Sequence, residues 1–595
     1  MKGYDLPAPA QDGLPGFTLP VNYIPPEIPP WSTRPIFPHA LQFMERDLKV
    51  YREILMMRVM NSITDKPDWD QKVFNEEITS KWRKEISESG QDVSTTMMDF
   101  VIGELQWRAE LLKINKSVNV FTIGVEKSDT AISDDLKKAL IEAAAPLEDV
   151  PEDQKDYHPG SDQKVVDLVH PSLFPLVYEH TRILRDEVIT LDNCLGTTGQ
   201  GEVLPTPSKV EIKSRWTGMG RENDSDGYSI KFQWLPCDVS LFSQEGDSGC
   251  RIISYINNLH PKEYRPLYGV IEKILDCVIP LWSQSLSIDA RANRIEWDTV
   301  EYESDQEEEE PEQGPEEDDD TYWERHWAWQ TTQKIEQPEP GSLQKFKLNQ
   351  TEKIDIRELF GKTGLQVIVK MANIELTPEK PEYEGGSWHV EGQLNERICA
   401  TAIYYYDCEN ITESTLAFRH RANEGQVDDV GYEQSRHEFL QQIYGFGTHV
   451  ESNYKSQLTQ DLGAVVCREG RLLTFPNIVQ HRVSPFSLAD PTKPGHRKIL
   501  AFFLVDPHLK IISTANIPPQ QMSWGAEKAE LTRGVIGGRL PVELQDMVLQ
   551  EGVLQPLMTM DEAKKFRLEL MEERSVKAPN QNEAFEMGSF CLCEH

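Results

Sequence analysis

No stretch of this sequence approaches the roughly 18 consecutive apolar residues needed to cross a bilayer, and its first residues lack the apolar core of a secretion signal. The cytoplasm is therefore the expected location, with the nucleus left open. Cysteine is scarce. There are 9 in 595 residues, an odd number without paired spacings, which reads as reduced intracellular thiols rather than a disulfide framework. Cys591-Leu592-Cys593 is a weak metal or redox signal, and it is no prenylation box, because the fourth residue from the end is Leu592. Positive charge is short as well: 61 Lys and Arg against 98 Asp and Glu leave a net charge of −37. Nucleic-acid phosphates would be repelled before contact, and an anionic membrane surface is disfavoured.

What remains is enough to fold. Hydrophobic residues make up 38% and aromatic residues 9% of the chain, and its length exceeds what one core usually holds, so two or more domains are expected. Residues 1–38 carry ten prolines, which favour an extended arm lying over a neighbouring domain, with Phe17, Tyr23, Ile24 and Trp31 as anchors. Leu41, Met44, Leu48, Tyr51, Leu55 and Val59 recur at helical spacing, as do Met97, Val101, Leu105 and Leu112. These stripes read as core. From about residue 205 the pattern changes to strands, over 209–216, 230–234 and 250–256, with a helix over 263–286 packed on them. Within 303–320, twelve of eighteen residues are acidic, a self-repelling run expected to be a loosely held insertion. Trp323, Trp327 and Trp329 after it suggest a return to packed surface. Helices are expected over 544–549 and 561–573, then a polar tail.

One constellation assigns chemistry to named residues. Trp388-His389-Val390-Glu391-Gly392 is followed by Gly470-Arg471-Leu472-Leu473-Thr474-Phe475-Pro476-Asn477, by His481, and by Gly495-His496-Arg497 with an apolar run. In an extended segment residues i and i+2 point the same way, so His389 and Glu391 can aim an imidazole and a carboxylate at one point, with His481 as third ligand. Two histidines and one carboxylate on one face of an octahedron suit Fe(II) and leave positions open for a co-substrate and O2. A closed zinc site would need a fourth ligand. Alone, His-x-Glu is common on surface strands; order and spacing give it weight here. His420 and His437 are rivals as ligands, and His449 with Glu451 makes a second His-x-Glu, without the flanking Trp and Gly.

Arg497 shares its parity with Ile499, Ala501, Phe503 and Val505, which places it on the inward face. A buried guanidinium needs an anion and grips a carboxylate with two prongs. The distal carboxylate of 2-oxoglutarate is the natural candidate.

The order His-x-Glu, Gly-Arg-Leu-Leu-x-Phe-Pro, His-x-Val, Gly-x-Arg resembles the Fe(II)/2-oxoglutarate-dependent oxygenases, particularly the prolyl-hydroxylase-like branch. With Asn395-Glu396-Arg397-Ile398-Cys399-Ala400-Thr401 and Tyr404-Tyr405-Tyr406-Asp407, the chain is also similar, from its proline-rich start to about Pro519, to a large fungal family of unknown function (number 4246). The resemblance implies that His389, Glu391 and His481 hold iron, that Arg497 anchors 2-oxoglutarate, and that the reaction is the hydroxylation of a protein side chain or a small metabolite. The commoner motif is His-x-Asp, and many relatives place Ser or Thr two residues after the arginine, where Ile499 stands. Thr401 or a tyrosine of the run, Tyr404 or Tyr406, is expected to complete the clamp.

The expected fold is α+β, a double-stranded β-helix (jelly roll) with a mainly helical N-terminal region. Its parts are a proline-rich arm and helical region at 1–204, an oxygenase domain at 205–520 with an acidic insertion at 301–322, and a helical extension and polar tail at 521–595. Partners are O2, 2-oxoglutarate and an unidentified substrate, for which the acidic surface would suit a basic protein. Two other readings use the same residues: a non-catalytic interaction scaffold, and a cupin-type metalloenzyme without 2-oxoglutarate. The intact set of four argues against the first and an inward Arg497 against the second.

Overall fold

The computed structural model describes residues 13–592 apart from 24–36, 43–45, 186, 210–226, 242–248, 288–292, 304–309, 350–353, 435, 448–455, 526–532, 535–538, 550–556 and 591. The expectations for Ile24, Met44 and Trp31, for most of 209–216, for the rival pair His449 and Glu451, and for Cys591 and Cys593 lie outside the described residues. The fold is α+β with antiparallel sheets. Nine strands form the large sheet in the order Val118–Phe121, Val125–Ser128, Leu472–Pro476, Ile398–Glu409, Gly495–Val505, Leu365–Leu376, Cys237–Ser240, Arg251–Ile252, and Val165–Val169 pairs with Leu365–Leu376. Three of these strands come from before residue 205, where the strand pattern was expected to begin. Short strands in a helix-rich stretch give too few residues for a period-2 signal to stand out.

Opposite lies a three-stranded sheet of Thr459–Cys467, Ser414–Arg421 and Gln480–Val483. Alternation divides the long strands between two cores. Ile403, Tyr405, Leu473, Phe475, Ala501 and Phe503 meet Leu416, Phe418 and Val465 between the sheets. Ala402, Tyr404, Tyr406, Leu472, Leu500 and Phe502 face the other way, onto Ile271, Leu275, Val278 and Trp282 of helix Arg265–Leu286.

The first expected helix starts at Tyr51, ten residues after the start of its stripe. The backbone before it bonds elsewhere: Leu48 N donates to the Gln426 side chain, Lys49 N to that of Gln460, and Arg46 N to Arg421 O. Helices Tyr51–Thr64 and Thr95–Asn115 pack on the core between the sheets. Arg294, fully buried, ties them together, with two contacts of 2.7 Å to Glu104 and one of 3.3 Å to Glu53. Phe17 of the N-terminal arm packs beside a small cluster of Leu176, Tyr178, Ile512 and Ile517.

Two segments differ from expectation. The end of the acidic run is ordered, because Asp318 caps helix Asp319–Thr332 and Arg325 meets Glu317 at 2.8 Å. On that helix Trp323 and Trp327 are exposed rather than packed. The polar tail is helical too: the last long helix runs Met560–Glu586, and its polar residues bond to the rim of the candidate site. Among the described residues no helix is long and apolar enough to cross a membrane.

Glu104 gives a stability test. Burial pushes its carboxyl up, but Arg294 and Arg108 outweigh that and hold it at about 2. Its folded value lies below the ordinary 4.5, so its contribution is present above that pH and is lost as pH falls towards 2. Glu104→Gln strips a buried guanidinium of the nearer of its two carboxylates and is expected to cost about 3–5 kcal/mol at pH 7. Urea unfolding at pH 7 measures it, and a change below about 1 kcal/mol would contradict the account.

Candidate metal centre

The segment carrying His389 runs beside the strand carrying His481. His389 N donates to His481 O at 3.2 Å and His481 N to His389 O at 3.0 Å, so the two side chains rise from one face. Their ring centroids are 4.3 Å apart. Two glycines make the approach possible. Gly385 has φ +86, and a Cβ there would lie 2.8 Å from Val483 O; Gly392 has φ +69, with Ile398 Cδ1 at 2.8 Å. Both conformations are ones that L side chains rarely adopt. Between them Trp388 lies on the far face, with the guanidinium carbons of Arg419 and Arg482 each 4.6 Å from its ring.

His389, Glu391 and His481 converge, with one ligand atom from each inside 4.8 Å of the others. Glu391 Oε1 is 3.3 Å from His481 Nε2 and 3.9 Å from His389 Nε2. An ion bound at about 2.1 Å would hold neighbouring ligand atoms about 3 Å apart, so Glu391 needs a contraction of under an ångström towards each histidine. The tautomer of His389 fits. His389 Nδ1 lies 2.8 Å from Ser387 O; a carbonyl only accepts, so the proton is on Nδ1 and the Nε2 lone pair is free for a metal. The ring edge of His389 reaches solvent at 45% exposure, yet its crowded surroundings, with His481 beside it, bring it down to about 4. Burial pushes Glu391 up, but the hydrogen bond from His481 and the neighbouring positive charge outweigh it and leave the carboxyl at about 2. At neutral pH the set is one carboxylate with His389 uncharged. His481 Nδ1 is buried and unpartnered among the described residues.

Asn477 fixes the carboxylate arm. Its side chain accepts from Glu391 N and donates to Glu391 O, both at 2.9 Å, and donates to Ile398 O at 3.0 Å. The C-terminal helix closes one side: Asn582 bonds to Gln480 at 2.8 Å and to Trp388 O at 3.3 Å, and Glu586 pairs with Arg419. Asn477 ended a motif that the sequence offered, but its role needed the fold. The helix residues carried no signal of their own.

Arg497 does point inward. It lies between the sheets at 3% exposure, hydrogen-bonded to Ser414, with its guanidinium carbon 4.9 Å from the Phe486 ring and 5.6 Å from that of Tyr405. Among the described residues it meets no carboxylate, and its Nε has no partner. Ser414 sits four residues along its strand from Phe418, which pairs with His481, about 13 Å at the rise of a strand.

Tyr404 and Tyr406 do not complete this site. Both belong to the core on the other face of the sheet, where Tyr406 OH contacts Glu148 at 3.1 Å. Tyr405, between them, faces the side of Arg497, and the hydroxyl bonded to Arg497 is that of Ser414. Thr401 is on the inner face opposite Phe475 and Phe503, with a buried Oγ1 that has no partner among the described residues. Of the rival histidines, His420 is buried and contacts Gln460 at 3.1 Å, and His437 packs on Tyr432.

A second group, His158, Asp167 and His170, also falls within metal-binding reach. It is less suited to a cation. Ser172 N donates to His170 Nδ1, which puts the proton on Nε2, and Arg567 lies 3.6 Å from Asp167.

A family model described as "Protein of unknown function (DUF4246)" matches residues 95–528, and one for the N-terminal domain of the same family matches 14–85. No curated protein matches the sequence. Among solved structures, the Fe(II)/α-ketoglutarate-dependent dioxygenase TqaL is 19% identical, over 27% of this chain and 51% of its own, with a TM-score of 0.16. IDO from Bacillus thuringiensis is 12% identical over 24% and 46%, with a TM-score of 0.13. A bsmA homologue from Methylobium petroleophilum PM1 is 13% identical over 30% and 60%, with a TM-score of 0.16. The chain thus spans about half the length of these proteins. Likenesses this slight leave the functional reading to the geometry.

Replacing Asn477 with Ala frees the backbone that carries Glu391. Metal affinity is expected to fall about 10–100-fold with the fold retained. Competitive titration with a metal-sensitive dye measures it, and unchanged affinity would contradict the role given to Asn477.

Proposed function

The chain belongs to the DUF4246 family, whose function is unknown, and from that premise and the geometry we propose that it is an Fe(II)- and 2-oxoglutarate-dependent dioxygenase. The observation that carries the reading is a buried arginine without a carboxylate, in the same interior as a two-histidine, one-carboxylate set. The strand pairing supports a double-stranded β-helix: four long strands of the large sheet face Thr459–Cys467, Ser414–Arg421, Gln480–Val483 and, through the His389–His481 bridge, the His389 segment.

In this proposal His389, Glu391 and His481 hold the iron. When bound, Fe(II) couples the oxidative decarboxylation of 2-oxoglutarate, which gives succinate and CO2, to hydroxylation of the substrate. Arg497 takes the distal carboxylate of 2-oxoglutarate, and Ser414 holds the guanidinium fork towards it. Tyr405 and Phe486 flank the fork and keep water from it, which strengthens the charge pairing. Asn477 keeps the Glu391 carboxylate aimed at the metal, and the Ser387 carbonyl keeps His389 in the binding tautomer. A cupin-type metalloenzyme without 2-oxoglutarate has no use for Arg497, and an interaction scaffold has no use for the metal-ready triad. For the substrate, the surface charge leaves a basic protein as one proposal beside a small metabolite.

Removing one member of a buried charge pair costs on the order of 2–5 kcal/mol, so Arg497→Met is expected to weaken 2-oxoglutarate binding by about thirty-fold or more while iron binding survives. His389→Ala and His481→Ala are expected to lose stoichiometric iron. Calorimetry and metal analysis of the three purified variants test both halves. Equal 2-oxoglutarate affinity in Arg497→Met, or full iron content in either histidine variant, would overturn the corresponding assignment.

A further inference from the structure

The inner face of the large sheet holds a second cation. Lys370 lies directly opposite Ala501, and Ile368 opposite Phe503. Directly opposed residues share a face, and Ile368, Ala501 and Phe503 belong to the core between the sheets, so Lys370 leaves the sheet on the side of Arg497 and the triad. On its other flank Met371 pairs with Val169, which sets Lys370 beside His170. Lys370 is partly exposed, and among the described residues its side chain makes no hydrogen bond or ion pair. Other lysines of this sheet are treated differently: Lys127 meets Asp65 at 2.8 Å, and Lys498 meets both Glu148 at 2.8 Å and Asp407 at 3.0 Å. In a chain of charge −37, an inward ammonium without a carboxylate stands apart.

Its surroundings indicate what it meets. Directly opposed residues share a face, so Lys370 and His170 leave the sheet on the same side as Arg497. His170 is held neutral, chiefly by burial, and Asp167 is already engaged by His158 at 2.8 Å. Phe503 and Trp234, stacked with centroids 5.9 Å apart, are buried core, and the Arg574 guanidinium lies 4.1 Å from the Trp234 ring. Binding sites combine a mainly apolar lining with a few placed polar groups. An inward ammonium without a carboxylate matches the carboxylate of a ligand.

We propose that Lys370 is the docking point for the carboxylate of an organic-acid substrate. The assignment rests on the dioxygenase reading and narrows its substrate class. Arg497 serves the co-substrate and Lys370 the substrate, so two carboxylates enter one interior at separate cations. The other source of a carboxylate is 2-oxoglutarate itself, and the experiment separates the two.

The probe is 4-fluorobenzoate, followed by fluorine NMR titration of the full chain, both metal-free and loaded with Zn(II) and saturating 2-oxoglutarate. Wild type is expected to bind it. Lys370→Gln and Lys370→Met are each expected to bind about tenfold or more weakly, and Lys370→Arg to recover most of the loss. Calorimetry on the same samples is expected to give unchanged 2-oxoglutarate affinity in Lys370→Gln. No binding by wild type, or equal binding by the Gln and Met variants, overturns the proposal. So does a loss confined to 2-oxoglutarate, which would give Lys370 to the co-substrate. Metal content is read separately, so a wild type that takes up no metal would overturn the dioxygenase reading while the metal-free titration still reports on Lys370.

Discussion

A guanidinium buried between two sheets without a carboxylate is the constraint on which this account depends. Most buried arginines here meet a carboxylate; Arg397, bonded to Tyr23 O, and Arg497 make no ion pair among the described residues. Arg294 meets Glu53 and Glu104, Arg471 meets Asp65 and Asp129, and Arg567 meets Asp156. Each places carboxylate oxygens within 3.3 Å or less of the fork. Arg497 has a serine hydroxyl and two aromatic faces. Burying a charge without a partner costs several kcal/mol, and an anion arriving beside Arg497 would offset that cost.

The rest of the site follows from that interior. Strand Gly495–Val505 carries Arg497 in the middle of the large sheet, and the opposed sheet carries Ser414 and His481, so anion and metal ligands share one space. Segments far apart in sequence close it. The His389 loop is drawn onto the His481 strand by two backbone hydrogen bonds, Asn477 locks the carboxylate between them, and the C-terminal helix braces Trp388 and Gln480 from outside. The site is thus the product of packing order rather than of one contiguous motif.

Much of this was legible in the sequence. The parity of Arg497 with Ile499, Ala501 and Phe503 placed the guanidinium correctly, because strand alternation is strict. The Trp and Gly flanks of His389 set it apart from the rival pair, but the positive φ of Gly392 and the seat of Trp388 between two guanidinium groups needed the fold. The tyrosine run was not legible in the same way. Strand Ile398–Glu409 is covered on both faces, so Ala402, Tyr404 and Tyr406 are as apolar and buried as Ile403 and Tyr405, and no polarity contrast says which set faces inward. A register shift between Tyr405 and Asp407 further hides which residue meets Arg497. The C-terminal helix misled for a related reason. Its Gln581, Asn582 and Glu586 look like a solvated tail, but they are polar because the surface they bond to is polar.

The central claim is that the two-histidine, one-carboxylate set and Arg497 serve one metal and one 2-oxoglutarate together. The most direct measurement is the absorption spectrum of the anaerobic protein with Fe(II), before and after 2-oxoglutarate is added. A metal-to-ligand charge-transfer band that appears on addition, and saturates at one equivalent per chain, is the result this account predicts. Iron that binds stoichiometrically while the spectrum stays unchanged by 2-oxoglutarate would contradict it.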